Sequence, residues 1–132
     1  MEWTVEEIPD EDALFFRIHY YDIDDSSGQP KPGAFRNSPK KVPGAGMSTN
    51  WAKYSTSENV RENANKPAGE YTVIRLIAGN IRKIPGQTVV HEPLSDNQSH
   101  SEVFGEKNTE VRAKFLQIYE IELTFNPAVK AS

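Results

Sequence analysis

The run Glu70-Tyr71-Thr72-Val73-Ile74-Arg75-Leu76-Ile77-Ala78 is rich in β-branched residues and almost unbroken in apolar character. A half-exposed strand alternates apolar and polar residues, so continuous apolarity over this length predicts a strand covered on both faces and central to a sheet. Just upstream, Pro67 and Gly69 end whatever precedes it. Ser55-Thr56-Ser57-Glu58 has capping-box spacing between Ser55 and Glu58, which predicts a helix through Val60, Arg61 and Ala64 to about Lys66. Further upstream, Leu14-Phe15-Phe16-Arg17-Ile18-His19-Tyr20-Tyr21 places Leu14, Phe16, Ile18 and Tyr20 on one face. Phe15, Arg17, His19 and Tyr21 fall on the other, a strand with one polar and aromatic side.

Between that strand and the helix, residues 22–50 carry Pro30, Pro32, Pro39 and Pro43 with Gly28, Gly33, Gly44 and Gly46. This density of breakers predicts one long loop, and a loop beyond about 12–15 residues in a small domain is a lid, a binding loop or a disordered segment. Downstream, Gly79-Asn80 and Pro85-Gly86 read as turns, Gln87-Thr88-Val89-Val90-His91 as a short strand, and Leu94 to Gly105 as a polar connection. Asn108-Thr109-Glu110 offers an N-cap and an acidic first turn to a helix with Val111, Phe115, Leu116 and Ile118 inward. Tyr119, Ile121, Leu123 and Phe125 then alternate with Glu120, Glu122 and Thr124 in a last half-buried strand, closed by Asn126-Pro127. The expectation is an α+β fold, a small mixed or largely antiparallel sheet of four to five strands with two helices and one long Pro/Gly-rich loop.

The 132 residues fit one domain, 1–132, with six Phe, five Tyr and two Trp to fill a core. Acidic residues outnumber basic ones by 19 to 15, for a net charge of −4, so no overall positive field draws the chain onto nucleic acid. With no cysteine, disulfide frameworks, thiolate zinc sites and cysteine nucleophiles are excluded. The acidic start Glu2-Trp3-Thr4-Val5-Glu6-Glu7 does not resemble a secretory signal, and no apolar run reaches the roughly 18–20 residues of a membrane span; the expected address is the cytoplasm.

Chemistry concentrates in His91-Glu92-Pro93-Leu94-Ser95-Asp96-Asn97-Gln98-Ser99-His100-Ser101-Glu102, which holds two of the three histidines. Two imidazoles beside Asn97, Ser99 and Glu102 suit an anionic ligand or acid–base work near neutral pH. Their spacing matches no metal-binding motif, and none is assigned; the sequence names no cofactor either. The catalytic expectation is His91, His100 and Glu122, with a histidine or Glu122 moving a proton; Arg17, His19, Trp51, Tyr54, Asn97 and Ser99 are the expected ligand-binding set. The ligand would be a small anion or a nucleotide beside the sheet, under the 22–50 loop, with transfer or hydrolysis at a phosphate or glycosidic centre as the economical chemistry. Lys31, Arg36, Lys40 and Lys41 make that loop locally basic, and with Met47, Trp51 and Tyr54 after it the patch keeps a nucleic-acid contact open as a further alternative to a solvated surface loop. An alternative is a non-catalytic module whose loop and exposed aromatics Trp3, Trp51 and Tyr54 meet a protein partner.

Arg17, Ser55-Thr56-Ser57 and Glu120-Ile121-Glu122 follow one another in an order similar to the arginine, Ser-Thr-Ser and Glu-x-Glu signature of one branch of the ADP-ribosyltransferases. The resemblance implies that Arg17 holds dinucleotide phosphates, the serines support the pocket and a glutamate drives transfer. A structural ion pair is the other expectation for this face, with Glu120 or Glu122 reaching Arg17 and His19 if the first and last strands pair.

Overall fold

The computed structural model describes residues 3–39 and 45–130. Its elements are β1 (Ala13–His19), β2 (Met47–Trp51), α1 (Ser57–Glu62), β3 (Tyr71–Ile77), α2 (Ala78–Arg82), β4 (Thr88–His91), β5 (His100–Phe104), α3 (Thr109–Ile118) and β6 (Glu120–Leu123). The strands form a single sheet in the order β4-β5-β2-β1-β3-β6, and each neighbouring pair is antiparallel. The α+β class therefore holds, while the count among the described residues is six strands and three α-helices, where four to five and two were expected.

The extra elements have physical reasons. β2 (Met-Ser-Thr-Asn-Trp) and β5 (His-Ser-Glu-Val-Phe) are interior strands whose second face carries polar side chains, so neither shows the apolar pattern of a covered strand. α2 forms where a turn was expected because Ile81 is drawn into the core, and Gly79 lets the helix start close against Asp10, whose carbonyl accepts its N–H at 2.8 Å. β1 stops at His19, and Tyr20–Asp22 is a 3-10 turn. Thr56, rather than Ser55, caps α1: its hydroxyl accepts from Asn59 N at 3.2 Å, while Ser55 Oγ donates to the Trp51 carbonyl at 2.7 Å.

The sheet has a large core on one face and a small one on the other. Leu14, Ile18, Met47, Trp51, Ile74, Leu76 and Val103 pack with Phe35, Val111 and Phe115, while Phe15 and Val73 pack beneath Val60 of α1. Phe35 belongs to the long loop, yet it is fully buried, with its ring between Phe16 at 5.9 Å and Phe115 at 5.1 Å. A bridge between Ile23 and Pro30 and a 3-10 turn at Pro32–Ala34 give the first part of the loop regular structure.

One irregularity places the site. β1 pairs with β3 along seven residues, Ala13↔Ile77 to His19↔Tyr71, but with β2 at Leu14↔Trp51 and Phe15↔Asn50 alone. Beyond Phe15 the two strands part, and the middle of the sheet opens.

Candidate anion-binding cleft

The opening is a cleft of about 360 Å³. Phe16 and Ile18 contribute apolar wall, Arg17, His19 and Tyr71 come from β1 and β3, Ser48 and Asn50 from β2, and Asp22, Arg36 to Pro39 and Lys66 complete the rim. Alternation along β1 puts Arg17 and His19 on the same face, about 6–7 Å apart.

Arg17 is the central group. One guanidinium nitrogen donates to the Val60 carbonyl at 2.7 Å, and among the described residues no carboxylate lies within ion-pair distance. Burial lowers its pKa from the ordinary guanidinium value, as expected for a cation drawn out of water without a counter-ion. Guanidinium remains charged across the physiological range, so the cleft holds a fixed positive charge. Lys66 adds a second cation with no ion pair among the described residues; Arg36 donates to Asp22 Oδ2 at 3.1 Å, so its charge is partly met.

Asn50 is held for donation. Its Oδ1 accepts from Asn97 Nδ2 at 2.9 Å and Ser99 Oγ at 2.8 Å, and Ser99 Oγ also lies 2.6 Å from Asn97 Oδ1. With its oxygen so occupied, the amide nitrogen of Asn50 has no protein partner among the described residues and is not sealed from the cleft. Asn97 and Ser99 thus support the cleft through Asn50 rather than lining it themselves.

The sheet separates His91 from His19 and His100. His91 is 1% exposed and lies in the main core, its ring edge-on to Trp51 at 5.0 Å. Its Nδ1 accepts from Glu6 N at 3.0 Å and its Nε2 donates to the Gln98 carbonyl at 2.7 Å, which leaves neither nitrogen for proton transfer. His19 is likewise occupied on both sides, by Tyr21 N at 3.3 Å and Glu70 Oε1 at 2.7 Å. His100 pairs through Nε2 with Glu102 Oε1 at 3.2 Å and stands opposite Asn50 across the β2–β5 ladder. Its Nδ1 has no partner among the described residues. Since His91 is paired with Ser101, it projects from the opposite face to His100, and Glu122 lies on the far edge strand, near Arg75 Nε at 3.5 Å. The structure does not bring His91, His100 and Glu122 together.

The last strand pairs with β3, not β1, so Glu120 and Glu122 serve Arg75 instead of Arg17 and His19; Glu120 Oε2 is 2.7 Å from Arg75 Nη2. A register shift between Val73 and Ile74 inserts Glu122 as an extra residue and brings both carboxylates to one guanidinium. Ser55-Thr56-Ser57 is occupied with the turn into α1, so Arg17 is the one part of the ADP-ribosyltransferase-like pattern that lines the cleft. Trp51 is buried and donates through Nε1 to Asp12 Oδ2 at 2.9 Å, Met47 is fully buried, and the hydroxyl of partly buried Tyr54 is bonded to Glu6. Neither Trp51 nor Tyr54 lines the cleft, and Trp51 is not an exposed docking group. Lys40 and Lys41 lie outside the described residues.

Sequence reasoning missed Ser48, Asn50, Lys66 and Tyr71. The first two sit in a strand that reads as loop, and Lys66 and Tyr71 reach the cleft only through the folding of α1 and β3 against β1. Among the described residues no cluster of three or more His, Asp or Glu side chains is arranged to hold a metal ion, and no helix is long and apolar enough to cross a membrane. Comparison with known proteins finds no matching family model, no matching curated protein and no matching solved structure.

Proposed function

We propose that the chain binds a small anionic ligand of the phosphate class in the cleft between β1 and β2. The observation that carries this reading is Arg17, a partly buried cation without a carboxylate partner among the described residues, beside an Asn50 amide oriented to donate. Fixed donors at a desolvated cation favour planar or tetrahedral oxyanions, because both charge and hydrogen-bond geometry are set before the ligand arrives. The loop residues Arg36 to Pro39 form the outer rim and act as the cover.

Titration of the chain with inorganic phosphate, followed by amide chemical shifts, tests the reading. Saturable shifts at Arg17, Ser48, Asn50 and Lys66 are the expected outcome. Arg17→Met, which keeps the apolar stem, is expected to weaken binding by at least about tenfold, the order of one charge-assisted hydrogen-bonding group. Asn50→Asp preserves the acceptor for Asn97 and Ser99 but replaces the donor with negative charge, and is expected to abolish binding. A protein whose cleft resonances do not move at millimolar phosphate does not have this function.

A further inference from the structure

Resting on the anion-binding reading, we propose that the ligand is a nucleoside monophosphate, its phosphate on Arg17 and Asn50 and its base stacked on Tyr21. A ladder of rings leads from the cleft wall to the surface. Tyr71 lines the cleft and meets His19 edge-on at 5.4 Å; His19, also in the wall, contacts Tyr21 at 4.5 Å, and Tyr20 lies 4.7 Å from Tyr21. The faces of His19 are taken by Tyr20, Tyr21 and Tyr71, whereas Tyr21 is 67% exposed.

Tyr21 is not a loose surface side chain. Its N–H donates to His19 Nδ1 at 3.3 Å, and its carbonyl accepts from Lys31 Nζ at 2.9 Å, so the 3-10 turn that carries the ring is tied to β1 and to the loop. An anchored aromatic ring left open to water beside a cationic cleft is the combination that single nucleotides use, since every base offers a flat π-face and every nucleotide a phosphate. The rim also supplies a third element, Asp22, next to Tyr21 in the chain, whose Oδ2 accepts from Arg36. A carboxylate at that place accepts hydrogen bonds from ribose hydroxyls. Cation, carboxylate and ring thus offer one partner each to phosphate, sugar and base.

Calorimetric titration of the full chain at one ionic strength with inorganic phosphate, ribose 5-phosphate, adenosine and adenosine monophosphate separates the parts. The monophosphate is expected to bind roughly 5- to 100-fold tighter than ribose 5-phosphate, the range that one base stacked on an aromatic ring contributes. Tyr21→Ala should bring it down to the ribose 5-phosphate level and leave phosphate affinity unchanged, while Tyr21→Trp should retain the increment; a thermal melt shows that each variant is folded. Equal affinity of the monophosphate and ribose 5-phosphate overturns the nucleotide assignment and leaves the anion reading standing. Adenosine binding as tightly as its monophosphate, or no binding by any of the four, overturns both.

Discussion

Single residues show how far a side chain's type is from its role. A histidine in a polar loop suggests chemistry, but His91 spends both ring nitrogens on backbone groups within the core. Its replacement by Ala leaves the partly buried Glu6 N–H and Gln98 carbonyl without their partner and opens a cavity beside Trp51, so a loss of about 2–4 kcal/mol is expected in urea denaturation, with phosphate binding unchanged. Lys107 is a second buried polar group of consequence. Its ammonium donates to Asn37 Oδ1 at 2.8 Å, Val103 O at 3.1 Å and Gly105 O at 2.6 Å, which fastens the cleft rim at Asn37 to the end of β5. Burial pushes its pKa down from 10.5 to about 8, with the field of Glu102 opposing. Below about pH 8 both folded and unfolded chains are protonated here and the desolvation cost is present in full. Between about 8 and 10.5 the unfolded chain holds the proton that the folded chain has released, so this residue's contribution to stability rises with pH. Comparing urea midpoints at pH 7.5 and 9.5, below the range of the raised tyrosines Tyr20 and Tyr119, should show that rise, and Lys107→Met should flatten it.

At the level of elements, the caps and turns carry testable weight. Asn108 accepts from Val111 N at 3.0 Å and begins α3 as its sequence context predicts; Asn108→Ala is expected to cost about 1 kcal/mol by thermal or chemical denaturation. Gly105 has φ +127°, and a Cβ there would press on Gly86 O and Gln87 Nε2. Gly105→Ala is therefore expected to destabilise by more than about 2 kcal/mol, since backbone strain and a backbone clash fall on one atom. β1 and α3 were legible because each obeys a period and buries the face that the period marks, and β3 because its unbroken apolar run is covered on both faces. β2 and β5 were not, because each puts a small polar residue, Thr49 or Ser101, on its core side, which breaks the alternation. The same cause hid Ser48 and Asn50, whereas Arg17 and His19 stood out as polar groups in an aromatic strand. Their partners were not readable, because strand order determines who faces Arg17, and β3 lies between β1 and the acidic strand β6.

Taken whole, the molecule anchors its long loop in the core through Ile23, Ala34 and, at the centre, the ring of Phe35. Phe35 stacks between Phe16 and Phe115, its carbonyl accepts from Arg112 Nε at 3.1 Å, and the residues that follow it form the cleft rim. Phe35→Ala is expected to lose about 3–5 kcal/mol in denaturation and to weaken phosphate binding as well, since the rim loses its anchor. Salt screens the attraction of Arg17 and Lys66 for an anion, so ligand affinity should fall with added salt. The parting of β1 from β2 has a consequence for how the backbone breathes. In most sheets amide protons are slowest to exchange with deuterium at the centre and fastest at the edges. Here the amides of residues 16–19 and 47–49 that point toward the gap lack a strand to hold them, although β1 and β2 are the two middle strands. Exchange should therefore run fast in a seam through the heart of the sheet, flanked by protected amides on β3 and β5, and an occupant of the cleft should slow it there first.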